Sequence, residues 1–286
     1  MRLRARAGLA APVSFAFALA LALAALPAPA AQGEGWIDDI AANSRYVLGA
    51  AVHNSPDYVG SSIRSTSLVP VLAFEYRWLR VSASGASAIL GFGQDPRGPG
   101  ASAAFIDRSD LKLGVGLRID SGRKASDSTD LAGFDDIRRT LRGRLYASYA
   151  LTDRWSLASN VSQDLLGRQG GALASADLGY RLPLGAGTQM TFGGGANWGN
   201  AQRMQTYFGV SDSASVRSGL PAYRPGAGLI DLHAGTGITT AFTPRWIGFA
   251  SLGAAQLRGP AAQSPLTRNT TSASVAIGLA YRCCTP

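Results

Sequence analysis

The sequence predicts an all-β protein, a single antiparallel transmembrane β-barrel of about 12 strands with short periplasmic turns and longer extracellular loops. Three observations predict it. Apolar residues recur with period two in several segments of about ten residues. The opposite face of those segments is rich in Gly, Ser, Ala and Arg rather than the Thr, Lys and Glu of a solvated sheet face, which suits a confined interior. The composition agrees: of 286 residues 35 are glycine and 46% are hydrophobic, while only 16% are charged, against roughly 25% in an average soluble domain.

Residues 1–30 read as a cleaved signal peptide. Arg2, Arg4 and Arg6 precede an apolar run from Leu9 to Leu26, and Ala28-Pro29-Ala30 supplies the small residues at which a signal peptidase cuts. A membrane-anchoring helix is the competing reading, and the cleavage pattern that follows at once argues against it. Residues 31–286 are then one barrel domain, because no Pro/Ser linker or composition shift divides them. The whole chain carries net +9 from 27 Lys+Arg and 18 Asp+Glu; the three leader arginines supply three of those charges, so the barrel carries +6.

The strands follow in chain order. The first places Arg45, Gly49 and His53 on one face and runs into a loop at about residues 55–66. In the second, Leu68, Leu72, Phe74 and Tyr76 oppose Val69, Val71, Glu75 and Arg77, less cleanly than elsewhere. A tight turn at Tyr76-Arg77-Trp78 and a long loop at about 91–100 come next. A count of eleven strands puts that turn on the wrong side of the membrane, and a short strand near Ala101–Asp107 restores the parity. Leu111, Leu113, Val115, Leu117 and Ile119 then alternate with Lys112, Gly114, Gly116 and Arg118, the clearest dyad repeat of the chain. A loop at 121–138 and tight turns at Leu151–Trp155 and Pro183–Gly187 follow. Gly193-Gly194-Gly195 falls within a strand, where glycine permits curvature and close packing. After a loop at 201–227, Ile230, Leu232, Ala234, Ile238 and Phe242 oppose Asp231, His233, Gly235 and Gly237. A turn at Thr243–Trp246 leads to the last strand, where Ala273, Val275, Ile277, Leu279 and Tyr281 oppose Ser274, Ala276, Gly278, Ala280 and Arg282. Trp78, Trp155 and Trp246 stand at strand entrances, as an interfacial aromatic girdle requires.

The loops carry a more specific signal. Pro56-Asp57-Tyr58-Val59-Gly60-Ser61, Phe74-Glu75-Tyr76-Arg77-Trp78, Tyr207-Phe208-Gly209-Val210-Ser211 and Ser218-Gly219-Leu220-Pro221-Ala222-Tyr223 together resemble the MipA/OmpV family. Gly122-Arg123, Leu131-Ala132-Gly133-Phe134-Asp135, Gly226-Ala227-Gly228 and Ser264-Pro265 add to the match. The resemblance implies a protein of the Gram-negative cell outer membrane. The founding type of the family implies a non-enzymatic scaffold of the envelope, working with a lytic transglycosylase and a penicillin-binding protein of the murein-remodelling machinery, while other members look like adhesins or osmoregulated proteins, so the resemblance fixes location better than activity. The chain departs from the usual aromatic last residue of such barrels, ending Tyr281-Arg282-Cys283-Cys284-Thr285-Pro286, so that Tyr281 stands in for it.

Chemistry has few candidate residues. Two cysteines, Cys283 and Cys284, and two histidines, His53 and His233, exclude a disulfide framework and any zinc site built on four cysteines or on paired cysteines and histidines. No metal, cofactor or catalytic residue is expected. Asp231 and His233 lie two apart on one strand and so share the lumen face, a weak dyad for which no serine partner can be assigned. Arg45, Arg77, Arg80, Lys112, Arg118, Arg142, Arg144, Arg181 and His233 are expected inward, against Glu75, Asp110, Asp120, Asp177 and Asp231. Such a set reads as a salt-bridged plug or, alternatively, as a narrow passive or gated channel with an arginine-rich lumen. Tyr207, Phe208 and Tyr223 mark the longest loop as a folded cap or a contact surface. The +6 barrel suits outer-membrane lipid and lipopolysaccharide phosphates, and no basic cluster with interleaved aromatics points to nucleic acid.

Overall fold

The computed structural model describes residues 44–76, 78–83, 99–185 and 187–283. The leader, Arg77, most of the expected 91–100 loop, and Cys284 lie outside the described residues. Twelve antiparallel strands close into one barrel: β1 (Ser44–Pro56), β2 (Arg64–Tyr76), β3 (Leu79–Ser82), β4 (Gly100–Asp107), β5 (Leu111–Asp120), β6 (Thr140–Ala150), β7 (Trp155–Asp164), β8 (Ala172–Gly185), β9 (Thr188–Gly199), β10 (Gly228–Ala241), β11 (Trp246–Leu257) and β12 (Thr271–Cys283). Each strand pairs with its sequence neighbours, and β1 pairs with β12 from Tyr46↔Cys283 to Asn54↔Val275. Closure pairs each strand with two neighbours, the arrangement that lets strands cross hydrocarbon. Among the described residues no helix is long and apolar enough to cross a membrane.

The period-two pattern sorts the wall as its chemistry requires. Leu68 is 74% exposed and Ile277 63%, and Leu117, Leu145, Val161, Leu178, Leu232, Leu252, Val275 and Leu279 likewise present their side chains outward. An exterior of this kind is stable only against lipid, since so large an apolar patch in water would aggregate. Aromatics rim the turn end: Trp155 packs on Tyr180 with ring centroids 4.8 Å apart, and Trp246 meets its cross-strand partner Tyr281 edge-on at 5.4 Å. Tyr281 thus places an aromatic of β12 in this rim.

The inner face departs from the expected alternation in two places. Ile230 was expected on the lipid face with Leu232, yet it is buried against Met204, Phe208, Leu257 and Ala261. A β-bulge between Leu229 and Asp231 in the pairing with β9 turns it inward, because one extra residue reverses side-chain parity. Beneath β1, β2, β11 and β12 the lumen is filled by apolar side chains, with Val47, Ala51, Val71, Ala73 and Ala280 packed together beside Phe249. Lys112, by contrast, sits inward on β5, half-exposed and paired with Asp107 at 3.0 Å.

The short turns at 108–110, 151–154 and 242–245 share one end of the barrel, and the long connections share the other. Two of these, 165–171 and 258–270, were not expected as long loops from the sequence, and they help build a cap. Helix α1 (Ala201–Phe208) starts at Asn200, whose side chain accepts from the Arg203 N–H, and buries Met204 and Phe208 four residues apart on one face. Helix α2 (Asp212–Ser218) is capped by Ser211 and stops at Gly219, which takes the left-handed conformation at φ 74°. A single turn, α3 (Gly259–Ala262), carries Pro260 in its first turn.

Candidate functional site

The lumen and its two ends are where the side chains of this fold converge. At the loop end, Tyr58 of the 57–63 loop, Leu131 of the 121–139 loop, Val210 and Ala214 of the 200–227 loop, and Leu266 of the 258–270 loop form one buried core. Three of these loops leave the ring side by side and the 121–139 loop leaves it on the opposite side, so Leu131 reaches the others only by crossing the barrel mouth. Polar contacts bind the same loops together. The Tyr58 hydroxyl donates to the Leu266 carbonyl at 2.9 Å, and Arg123 donates to the Tyr207 carbonyl at 3.0 Å. Arg217 pairs with Asp135 at 3.0 Å, and the Tyr223 hydroxyl donates to the Pro260 carbonyl at 2.8 Å. Tyr58 is pushed up to about 12 by its burial and then by Asp130, so it remains a donor at every physiological pH. Burial likewise pulls the Arg123 guanidinium down from its ordinary value and pushes Tyr207 up.

Tyr207, Phe208 and Tyr223 thus lie inside this cap. Phe208 is buried, and the Tyr207 hydroxyl reaches Asp120 at 3.2 Å while its ring stacks under the Arg203 guanidinium at 3.5 Å. The outer surface of that loop is instead carried by residues such as Val216, 87% exposed on α2.

Below the cap, Asp120 on β5 gathers Arg203 at 3.1 Å and Arg142 at 3.7 Å. Arg142 is only 1% exposed. Its guanidinium donates to the Gly170 and Gly171 carbonyls, both at 3.0 Å, and to the Ser162 carbonyl at 3.1 Å, stapling the 165–171 loop to the wall. A Cβ at Gly171, whose φ is 60°, would lie 2.4 Å from the Arg203 nitrogen, so only glycine admits α1 this close. Asp164 completes the knot through the Thr140 hydroxyl and the backbone N–H groups of Leu166 and Gly170. Arg118 is also buried, facing inward on β5.

Asp231 and His233 form part of a larger cluster than their spacing discloses. His233 Nδ1 is 2.9 Å from Asp231 Oδ1, and His233 Nε2 is 2.7 Å from Asp177 Oδ1 on β8. Asn197 of β9 donates to both Asp231 oxygens at 3.0 and 3.1 Å. Asp177, Gly195 and His233 are direct cross-strand partners on β8, β9 and β10. The outer two stand two strand spacings apart, about 9–10 Å, and meet because the residue between them has no side chain: a Cβ on Gly195 would sit 2.5 Å from Asp177 Oδ1. With a carboxylate at each ring nitrogen, the imidazole satisfies both by carrying a proton on each. Asn197 and the role of Gly195 escaped the sequence reading, although both share the parity of Gly193 on the inward face.

The turn end is different. There the lumen opens as a cavity of about 950 Å³, bounded by the turn residues Ser109, Asp110, Thr152, Asp153 and Arg154 and reaching inward to Asp177. Its room comes from small inward residues, Ser148 and Ala150 on β6 and Ser156 and Ala158 on β7. Seven cations and four carboxylates line it. Among the described residues no group of three or more His, Cys, Asp or Glu side chains has the arrangement of a metal site.

Comparison with known proteins bears on this architecture. The profile of the family described as MltA-interacting protein MipA matches residues 48–283, nearly the whole described barrel. No curated protein matches the chain. Among solved structures, the KdgM porin is 9% identical over 82% of this chain and 98% of its own, with a TM-score of 0.40. The NanC porin is 10% identical over 82% of this chain and 98% of its own, with a TM-score of 0.43. The Pseudomonas putida toluene transporter TodX is 9% identical over 84% and 89%, with a TM-score of 0.36.

Proposed function

We propose that this chain, which belongs to the MltA-interacting protein MipA family, is a non-enzymatic scaffold of the outer membrane whose periplasmic end positions a murein-remodelling enzyme. The partner class is a lytic transglycosylase working beside a penicillin-binding synthase, and the lipid-facing wall sits among outer-membrane lipid and lipopolysaccharide. The observation that carries this reading is the asymmetry of the two ends. A buried core built from four loops crosses the outer mouth, whereas among the described residues the short-turn end holds a cavity framed by polar side chains. The work of such a barrel is done by surfaces it offers to the periplasm.

The inner cluster supports the absence of catalysis. A histidine acting as general base must aim one ring nitrogen at a nucleophile or at the proton it removes. Both nitrogens of His233 are turned to carboxylates. The competing reading, a narrow channel, rests on the cationic lumen, and the packed cap opposes it.

Photoreactive residues at Asp153, in a periplasmic turn, and at Val216, on the outside of the cap, test the proposal in intact envelopes. Capture of murein enzymes at Asp153 is the expected result. Capture confined to Val216, or steady unitary conductance in planar bilayers that changes on Arg144→Gln, would overturn it.

A further inference from the structure

We propose that the outer rim of β6 and β7, with the cleft beside it, binds the phosphorylated headgroup of lipopolysaccharide, the lipid of the outer leaflet. The outward face of β6 runs from Tyr149 at the turn end through Ala147, Leu145, Gly143 and Leu141. Nine residues separate Tyr149 from Thr140, and at about 3.3 Å per residue and a tilt of about 40° they rise about 23 Å, close to the roughly 25 Å apolar band of such barrels. Arg138 and Arg139 immediately precede Thr140, so they stand where hydrocarbon gives way to headgroups. Leu165, at the head of the 165–171 loop, marks the same border. A Cβ on Gly143 would lie 3.2 Å from both of its terminal methyl carbons, which places this half-exposed side chain on the lipid-facing side of the wall.

Three guanidinium groups share this rim without a counter-ion. Arg138 and Arg139 are consecutive and exposed, and Nη1 of Arg168 donates to the Arg139 carbonyl, which holds the third cation beside them. Among the described residues none of the three pairs with a carboxylate, and the side chains of Arg138 and Arg139 make no hydrogen bond. The carboxylates closest to them in the chain are committed elsewhere, Asp135 to Arg217 at 3.0 Å and Asp136 to the Ala125 N–H at 2.7 Å. Uncompensated like charges repel, and a phosphate among them relieves the repulsion through charge-assisted hydrogen bonds. Arg138 and Arg168 also line a cleft of about 620 Å³ between the 121–139, 165–171 and 200–227 loops. Its volume lies within the roughly 300–1,000 Å³ of ligand pockets. The side-chain amides of Gln169 and Gln205 in its lining make no hydrogen bond among the described residues, so they remain to meet sugar hydroxyls. Below the rim, Leu165, Val161 and Leu145 are each about half exposed on the lipid side. The acyl chains, phosphate and sugar of one amphiphile thus meet apolar wall, cations and cleft on one contiguous surface, whereas a free phosphate or a soluble sugar would use only part of it.

The inference rests on the outer-membrane placement of the wall and not on the scaffold role, and it is tested with no partner protein present, so a barrel that ignores this lipid leaves the scaffold reading standing. The full chain in detergent micelles is titrated, with native mass spectrometry as the readout, with bisphosphorylated lipid A, with the same lipid after enzymatic dephosphorylation, and with phosphatidylglycerol. Lipid A is expected to bind about tenfold more tightly than either of the others. Arg139→Gln is expected to weaken it about threefold, as for one exposed charge contact, and the double variant Arg138→Gln, Arg139→Gln about tenfold. Both side chains lack partners in the barrel, so the variants should fold, which heat-modifiable electrophoretic mobility checks. Arg224→Gln removes the same charge from an arginine paired with Asp212 on the cap and is expected to leave the affinity unchanged. The proposal is overturned by absence of lipid A binding, by equal affinity for the dephosphorylated lipid or for phosphatidylglycerol, by unaltered affinity in the folded double variant, or by an equal loss in Arg224→Gln.

Discussion

Substituting Gly195 by alanine isolates the bridge between Asp177 and His233 from the rest of the wall. A Cβ at this position lies 2.4 Å from the Ala176 carbonyl oxygen, 2.5 Å from Asp177 Oδ1 and 2.9 Å from His233 Nε2. The carbonyl belongs to the backbone of β8 and cannot swing away alone, so the wall itself must deform. Overpacking of this kind costs about 1–3 kcal/mol. Separating Asp177 from His233 removes a hydrogen bond between ionic groups, a further ~1.5–3 kcal/mol, and Gly195→Ala should lose about 2.5–6 kcal/mol in all. Gly193 is the internal control. It lies on the same inward face two residues earlier, and the nearest atom to its Cβ is the Leu178 carbonyl at 3.5 Å, so Gly193→Ala should stay within about 0.5 kcal/mol of the parent. Urea titration of the barrel in lipid vesicles, followed by tryptophan fluorescence and extrapolated linearly, measures both. In an Asp177→Ala background the penalty of Gly195→Ala should shrink to its steric part, about 1–3 kcal/mol. Equal penalties for the two glycines in the parent chain would refute the reasoning, because they would show that no side-chain pair passes over Gly195.

Arg142→Met should cost about 3–5 kcal/mol, since it removes a buried cation and leaves the carbonyls of Ser162, Gly170 and Gly171 without their donor. Trypsin should then cut faster at the exposed Arg168 in the released loop, and an unchanged digestion rate together with an unchanged urea midpoint would sink the staple. Val115→Arg, on the lipid face of β5, should cost about 2–4 kcal/mol. Its inward neighbour Gly116→Ser should cost much less, because the nearest contacts of the new Cβ, Ala101 oxygen at 3.1 Å and Ser102 Cβ at 3.4 Å, call for only a few tenths of an ångström; similar midpoints for the two variants would mean that the faces are reversed.

The barrel was legible in the sequence because its signal is local. Each strand must present one face to lipid, so the alternation of Leu111 to Ile119 or of Ala273 to Tyr281 announces its conformation without reference to any partner. Parity did the rest: a closed barrel with both ends of its chain on one side needs an even count, and the short strand β4 followed from that arithmetic. The pattern failed at Ile230, where a bulge in the pairing with β9 reversed the parity. Nothing in the residues around it announces a bulge, because bulges are set by how two strands fit.

The candidate site was legible only in part. That Asp231 and His233 share a face follows from their spacing, and Asp177 was expected to face the same lumen. That His233 joins both carboxylates through the gap left by Gly195 follows from register between three strands, a quantity set by how the whole ring closes. The aromatics of the longest loop show the same division. Tyr207, Phe208 and Tyr223 could be read as a cap or as a contact surface, and only the crossing of four loops over the mouth put them inside. The sequence by itself determined the strand faces and the residues that look inward, since period two is written into neighbouring residues. The tertiary structure alone decided which inward residues meet and which end of the described lumen holds its cavity, because those depend on register and loop crossing between segments up to two hundred residues apart, as in the bond from Tyr58 to Leu266.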